Sequence, residues 1–241
     1  MSLLSICQAA ADQMGLDARP VSIIGNMGVD EGRLRSFASR VASDLATRAS
    51  WQALRLERVF TAVAMEGQAG AIPPGFQRFS PETLWDRTNK NVITGQLSGA
   101  EYQARKNDLA GDGYTGPTRW WTRRADALLV WPAPAGGETY SFEYQSLEFC
   151  QSAAGLPQTA WLADTDTGRI SEELITLGVI ARFLEADGQP WQSARSDFER
   201  RLVIELANDQ ITPGLLPAGD IFGLGRFSTG SPTGAFLGGG W

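Results

Sequence analysis

Residues 140–145 read Tyr140-Ser141-Phe142-Glu143-Tyr144-Gln145, and aromatic side chains alternate there with polar ones. A period of two places the aromatic side chains on one face of a β-strand and the polar side chains on the other. This hexapeptide is the clearest strand signal in the chain. It predicts a β-sheet with one buried face in the middle of the sequence.

The sequence around this hexapeptide continues the strand pattern, and residues 55–150 are predicted to form one small antiparallel β domain. Residues 56–65 are rich in β-branched and aromatic side chains, which favour strands. Residues 84–93 are predicted to form a hairpin with a polar turn. Residues 119–131 are predicted to form a second hairpin, which turns near Ala125-Asp126.

Two helices are predicted before the β domain. Apolar residues recur on one face of residues 3–14, between Ser2, which suits an N-cap, and Gly15, which suits a C-cap. A second amphipathic helix is predicted to begin at an Asp30 N-cap and to end near Ser50. Its apolar stripe comprises Leu34, Phe37, Ala38, Val41 and Leu45.

Two further helices are predicted after the β domain. Ser171 suits an N-cap, and Glu172 and Glu173 lie in the first turn, where negative charge is favourable. Pro190 suits the first turn of the final helix. The short break between these helices indicates an antiparallel helical hairpin.

The predicted fold class is therefore α+β. Residues 1–54 and 151–209 each supply two helices to an antiparallel helical bundle, and residues 55–150 form the β domain inserted between them. Ser98 begins one short helix inside that domain. Residues 210–241 are predicted to form a Gly-rich extended C-terminal arm.

The C-terminal arm combines residues that oppose regular structure with large apolar side chains. It contains the run Gly238-Gly239-Gly240 and three prolines, which disfavour helices and strands. Flexible linkers are normally polar, so these apolar residues predict a segment that orders in grooves of another chain. An arm packed on its own domain and a frayed tail remain alternatives. The predicted anchors are Leu215, Leu216, Phe222, Phe227, Phe236, Leu237 and Trp241.

Composition excludes several classes of function. The chain has 241 residues, a formal net charge of −6 and no histidine. The acidic balance argues against holding nucleic acid by positive charge, although it is compatible with a surface past which nucleic acid slides. The lack of histidine removes the commonest general base and the commonest metal ligand. Cys7 and Cys150 form no CxxC motif, and Cys7 is predicted to be a buried free thiol.

No motif predicts a catalytic site, a metal or a cofactor. The run 223–226 lacks the helix and the Lys-Ser or Lys-Thr pair that complete a phosphate-binding loop. Asp164 and Asp166 resemble half of a calcium loop without its later Glu, so a polar turn is favoured. Without histidine no Ser-His or Cys-His dyad can form, and a hydrolase would have only Asp and Glu pairs. We therefore expect that the protein is not an enzyme. We also expect it to be made in the cytosol, since no signal peptide or membrane span is visible.

A basic aromatic cluster is the candidate contact within the β domain. Such a mixture can stack bases and hold phosphates, but neighbouring residues of a strand point to opposite faces. One of its two tryptophans is therefore expected in the β core and the other at a subunit contact, with DNA binding as the less favoured alternative. The cluster comprises Arg119, Trp120, Trp121, Arg123 and Arg124.

Five short motifs follow one another in an order typical of a known family. They are Ala49-Ser50-Trp51-Gln52-Ala53-Leu54 after a long helix, Ala71-Ile72-Pro73-Pro74-Gly75-Phe76, Leu84-Trp85-Asp86-Arg87-Thr88-Asn89, Leu128-Leu129-Val130-Trp131-Pro132-Ala133-Pro134, and Glu172-Glu173-Leu174. In this order they resemble the head-to-tail adaptor proteins of tailed bacteriophages, also called head completion or connector proteins. Tail tubular protein A of short-tailed phages has the same plan. The resemblance covers roughly residues 1–209.

The resemblance implies a structural protein in the neck of a virion, between the portal protein and the tail. Copies would form a ring, a dodecamer if it follows the portal, and double-stranded DNA would pass through the lumen without specific binding. The arm would dock on the portal, and the next tail or nozzle protein would bind below. The alternative is a tail-associated carbohydrate-binding β module, because the chain has eight tryptophans, although the positions of most favour packing.

Overall fold

The computed structural model describes residues 2–16, 18–26, 28–109 and 118–209. The predicted C-terminal arm, with all of its anchors, lies outside these residues. The described chain is an α+β protein with a curled mixed sheet.

The N-cap of the first helix is the residue that the sequence predicted, whereas the N-cap of the second helix is not. Helix α1 (Leu3–Met14) starts at Ser2, whose hydroxyl accepts the Ser5 amide, and ends at Gly15, which has a φ of 68° that favours glycine. Helix α2 (Val29–Arg48) starts at Gly28 rather than at Asp30, so the predicted N-cap is wrong. The Asn26 side chain accepts the Gly28 amide, and the helix therefore begins earlier, with Asp30 in its first turn.

The middle of the chain forms one sheet and one helix after a short 3-10 helix (Gln52–Leu54). The elements are β1 (Arg55–Thr61), β2 (Gly67–Gln68), β3 (Phe76–Phe79), β4 (Trp85–Asp86), β5 (Asn91–Thr94), α3 (Gly99–Leu109), β6 (Arg119–Arg124), β7 (Ala127–Trp131) and β8 (Thr139–Ser146). The sheet order is β1-β8-β4-β5-β6-β7-β2, and β3 also pairs with β8.

Both predicted hairpins are confirmed, as β4–β5 and β6–β7, but the prediction of a purely antiparallel sheet is wrong. Strands β5 and β6 pair in parallel. Parallel neighbours need a crossover connection, and the segment between these strands includes α3. Ser98 begins α3 as predicted, in a reciprocal cap where its hydroxyl accepts the Glu101 amide and its amide donates to the Glu101 carboxylate.

Strand β8 contains the alternating hexapeptide of residues 140–145 and lies inside the sheet, where it pairs with β1, β3 and β4. Tyr140, Phe142 and Tyr144 are buried in the core of the curled sheet, as the alternation predicted. Gln145 on the opposite face is also buried, because it packs against the helical part of the chain and its amide donates to the Trp51 carbonyl at 3.1 Å.

The C-terminal part contains a small sheet that the sequence did not predict. Its strands are β9 (Cys150–Gln151), β10 (Pro157–Gln158) and β11 (Thr167–Gly168). Two-residue strands are too short to show a period of two. Helices α4 (Glu172–Ala186) and α5 (Gln192–Asp209) follow.

The caps of these last two helices differ from the prediction. Ser171 lies at the N-cap of α4, but its hydroxyl makes no cap hydrogen bond and donates to Glu205 of α5 at 3.2 Å. Pro190 precedes α5 and does not lie in its first turn. The link between the two helices is nevertheless as short as predicted.

The described chain has two apolar cores within one compact unit. The first core is formed by α1, α2, α4 and α5 together with Trp51, Phe149 and Trp161, and α4 contacts the other three helices. The second core fills the curled sheet. Arg169 joins the two parts, because its guanidinium donates to the Ala53 carbonyl at 2.6 Å and to the Glu148 carbonyl at 3.1 Å.

Candidate interaction surfaces

Strand β6 divides the predicted basic aromatic cluster between the two faces of the sheet. Trp121 is only 1% exposed and packs in the β core, so the expectation that one tryptophan enters the core is confirmed. Arg119 and Arg123 share its face, whereas Trp120 and Arg124 lie on the outer face. The structure therefore does not bring the five residues together as one platform.

Arg119 is held inside its own chain. Its guanidinium lies 3.2 Å from the Asp86 carboxylate, 3.3 Å from the Glu138 carboxylate and 2.6 Å from the Tyr140 hydroxyl. All of these side chains are largely removed from water, and Asp86 is the most buried of the charged ones. Arg119 thus connects β4, β6 and β8, and Arg124 is the exposed residue of the predicted cluster.

The Glu138 carboxylate is the other fixed charge of this network. Burial by itself acts to raise its pKa, but hydrogen bonds from backbone amides, including those of Ala135 at 3.0 Å and Gly136 at 2.7 Å, together with the Arg119 guanidinium, lower the pKa below its usual value. Burial raises the pKa of Tyr140 above its ordinary value. The network therefore keeps Glu138 ionised and Tyr140 neutral near neutral pH.

Helix α3 covers the outer face of β6 and β7. Tyr102 is fully buried and donates its hydroxyl to Glu66 at 3.1 Å, and Lys106 binds the same carboxylate at 2.7 Å. The Arg105 guanidinium lies 5.3 Å from the centroid of the Trp120 ring. Trp120 thus lies beneath α3. We call this side of the sheet, with the exposed Arg105 and Arg124, the α3 face.

The outer face of β1, β8, β4 and β5 is different, and we call it the open face. Register places Val59, Ser141, Trp85 and Val92 side by side in one row across these four strands. Val59, Trp85 and Val92 are 44%, 46% and 43% exposed. In the described part of the chain this apolar row is therefore open to solvent.

Charged side chains line a shallow depression beside Trp85 on the open face. Arg87 forms a salt bridge with Glu57, and Arg55 lies 3.9 Å from the Glu143 carboxylate. Glu82 adds a further carboxylate, so acidic groups outnumber basic groups around the row. An apolar strip beside a net negative rim is suited to a partner that is both apolar and basic.

The sequence analysis missed the open face, because the pattern that reveals it depends on burial in the folded chain. Trp85 lies between Leu84 and Asp86, which are 1% and 2% exposed. In a strand, a residue between two buried neighbours must point to the other face. Sequence alone would place a charged residue such as Asp86 outside, so the hairpin pattern could not show that Trp85 is the exposed residue.

The end of α5 is the last part of the chain that the structure describes. The Asp209 carboxylate accepts the Gln52 amide at 2.8 Å, which fastens the end of α5 to the segment just before β1. Val203 and Ile204 of α5 are 59% and 46% exposed. The last described residue of α5 is therefore fixed to the rest of the described chain, and the helix carries exposed apolar side chains one to two turns earlier.

The candidate calcium ligands are occupied by backbone amides. The Asp164 carboxylate accepts the amides of Ile23 at 3.1 Å and Ile24 at 2.7 Å, and Asp166 binds two amides of its own turn. The predicted polar turn is confirmed. Within residues 2–16, 18–26, 28–109 and 118–209, no group of three or more Cys, Asp or Glu side chains could hold a metal ion.

Both cysteines are buried free thiols, as predicted for Cys7. Burial, with a smaller contribution from the carboxylates of Asp164 beside Cys7 and Asp166 beside Cys150, raises the pKa of each thiol to about 12. Neither thiol is therefore ionised or reactive near neutral pH.

Comparison with known protein families gives a match over most of the chain. The sequence profile of a protein family described as SU10 adaptor protein matches residues 1–213. No curated protein matches the sequence. Among the described helices, none is both long enough and apolar enough to cross a membrane.

Proposed function

The chain belongs to the SU10 adaptor protein family, and from that premise we propose that it joins the head of a bacteriophage virion to its tail. The family is one of phage structural adaptors, so the chain is a virion component that contacts portal and tail proteins and oligomerises. The match over residues 1–213 is the observation that carries this proposal. The protein would act by position and contact, without turnover.

The finer proposal is a ring between portal and tail, of twelve copies if it follows a twelve-fold portal. The helices α1, α2, α4 and α5 would form an antiparallel bundle below the portal, and the β domain would face the next tail or nozzle protein. Duplex DNA would pass through the lumen. The net charge of −6 supports a wall that does not retain phosphates.

We further propose that residues 210–241 dock on the portal. The arm carries apolar anchors on a Gly-rich backbone, a pattern suited to grooves of another chain. Its starting point is supported by the hydrogen bond between Asp209 and Gln52. An arm with a fixed origin loses less freedom on docking than one that leaves from a frayed helix.

Electron microscopy of the protein mixed with purified portal rings tests this function. We expect a second ring on the portal. Replacing Phe222, Phe227, Phe236 and Trp241 together by Ser should abolish that ring without unfolding the body, whereas Leu156→Ser with Leu162→Ser, which changes two leucines exposed by 65% and 64%, should not. Portal rings left bare by the wild-type protein would contradict the adaptor function, and normal docking of the fourfold variant would contradict only the role of the arm.

A carbohydrate-binding module is the second candidate, because Trp85 is exposed on a β face beside polar side chains. It predicts that a glycan quenches tryptophan fluorescence in the wild-type protein and not in Trp85→Ser. A flat response across a panel of glycans would remove this candidate.

A further inference from the structure

We propose that the open face binds the α3 face of a neighbouring copy of this chain. The proposal rests on the proposed function, because it names the contact by which copies form a ring. The two surfaces belong to the same β part of each subunit, so the contact would be repeated once for every pair of neighbours.

The open face has the composition of a binding surface. Three apolar side chains lie in one row, each more than two fifths exposed, and the central one is a tryptophan. Tryptophan is enriched among the residues that dominate binding energy at protein interfaces. Ser141 between Val59 and Trp85 is small, which leaves the row with a notch that can receive a side chain.

The topology favours two different surfaces in contact, and not two copies of the open face. The Phe79 ring lies 4.5 Å from the Trp121 ring of β6 and 4.8 Å from the Phe142 ring of β8. Both halves of the curled sheet thus direct their inner sides to one core, so their outer sides point away from each other. Contact between opposite sides of successive copies is heterologous, and heterologous contacts generate rings when the rotation closes.

The distribution of charge also favours contact between an open face and an α3 face. The carboxylates of Glu57, Glu82 and Glu143 would repel each other if two open faces met. On the α3 face, neither Arg105 nor Arg124 forms a salt bridge with any described residue. A guanidinium group is also a favourable partner for an exposed tryptophan ring. The neighbouring copy therefore supplies basic groups to a surface on which carboxylates outnumber guanidinium groups.

A charge exchange provides the main test. Glu143, whose side chain is 45% exposed, is changed to Arg in one variant, and the exposed Arg124 is changed to Glu in another. Each variant alone would place like charges across every contact. An equimolar mixture would restore opposite charges at every contact if the two variants alternate. We expect each variant alone to lose assembly at least about tenfold, and the mixture to recover it, measured by light scattering and by microscopy on portal rings.

Trp85→Ser tests the apolar row, with Leu162→Ser as the matched control because Leu162 is exposed but lies off the face. Circular dichroism confirms that each variant is folded. We expect Trp85→Ser to assemble at least about tenfold more weakly and Leu162→Ser to assemble normally. Normal rings from Trp85→Ser and from both single charge variants would overturn the proposal and leave the adaptor function intact.

Other outcomes assign the failure elsewhere. A wild-type protein that neither self-associates nor adds a ring to the portal would overturn the adaptor function together with this contact. A Trp85→Ser protein that assembles normally but loses binding of a glycan would show that the open face binds a sugar, and would overturn the contact between copies.

Discussion

At the scale of single residues, Arg119 lies at the centre of a buried network of charges in the β part. It faces two carboxylates and a tyrosine hydroxyl in a site with little water. Removing one member of a buried ion pair costs far more than the pair itself contributes, because the remaining charge stays buried without a partner. Without Arg119, the carboxylates of Asp86 and Glu138 would both lose the guanidinium group that balances their charge.

We predict that Arg119→Met lowers the free energy of unfolding by about 3 kcal/mol, measured by denaturant titration. Arg200→Met is the matched control, since the Arg200 side chain is 71% exposed and pairs with Asp197 on the surface. That variant should change stability by less than about 1 kcal/mol. Equal effects of the two substitutions would contradict the structural role of Arg119.

The sequence could not identify this role. Asp86 and Glu138 lie 33 and 19 positions from Arg119, and nothing local links them to it. The alternation along β6 correctly separated Trp120 from Trp121, because that follows from strand geometry alone. The sequence did not show that α3 covers the outer face of β6, because that contact depends on the fold.

At the scale of elements, Gly178 shows how closely the helices approach. A Cβ atom at this position of α4 would lie 2.5 Å from the Val41 side chain of α2 and 3.1 Å from Phe198 of α5. Helices can pack at such short range only where a side chain is missing. Gly178 is therefore a contact residue for two helices at once.

We predict that Gly178→Ala destabilises the protein by about 1–3 kcal/mol in thermal or chemical unfolding, although alanine is the better helix former. Gly32→Ala in α2 is the control, since a Cβ atom there meets nothing within 4 Å. It should stabilise the protein by up to about 1 kcal/mol. A stabilising Gly178→Ala would show that the helices separate more easily than their packing indicates.

The elements predicted from sequence were those with long or symmetrical patterns. The stripes of α1 and α2 and both hairpins were found, since apolar periods and turn residues define them locally. The strands β9 to β11 were missed because two residues show no period. The parallel pairing of β5 with β6 was missed because register between distant strands leaves no local trace.

At the scale of the whole molecule, the two apolar cores are bridged by side chains at their junction. The Trp51 indole donates to the Leu45 carbonyl at 2.7 Å, and Gln145 of the sheet donates to the Trp51 carbonyl. Arg169 adds two more hydrogen bonds across the same junction. The division at residues 55 and 150 predicted from sequence is therefore crossed by two of these hydrogen bonds, the buried one from Gln145 to Trp51 and the one from Arg169 to Glu148.

We predict that the two cores unfold together, because neither can separate without exposing Trp51 and unpairing Gln145. Hydrogen exchange should give the slowest amides of β8 and α4 the same free energy of opening. If β8 opens at a much lower free energy, residues 55–150 are an independent domain and the junction does not couple the cores.

The two buried thiols have a consequence for how the particle ages. A virion persists in air-saturated surroundings with no metabolism to repair its proteins, so any accessible thiolate would be slowly oxidised or cross-linked. Cys7 and Cys150 are fully buried, are held as neutral thiols, and are the only cysteines in the chain. The adaptor itself thus presents no cysteine thiolate to oxidants, so its cysteines require no reducing conditions in a stored particle.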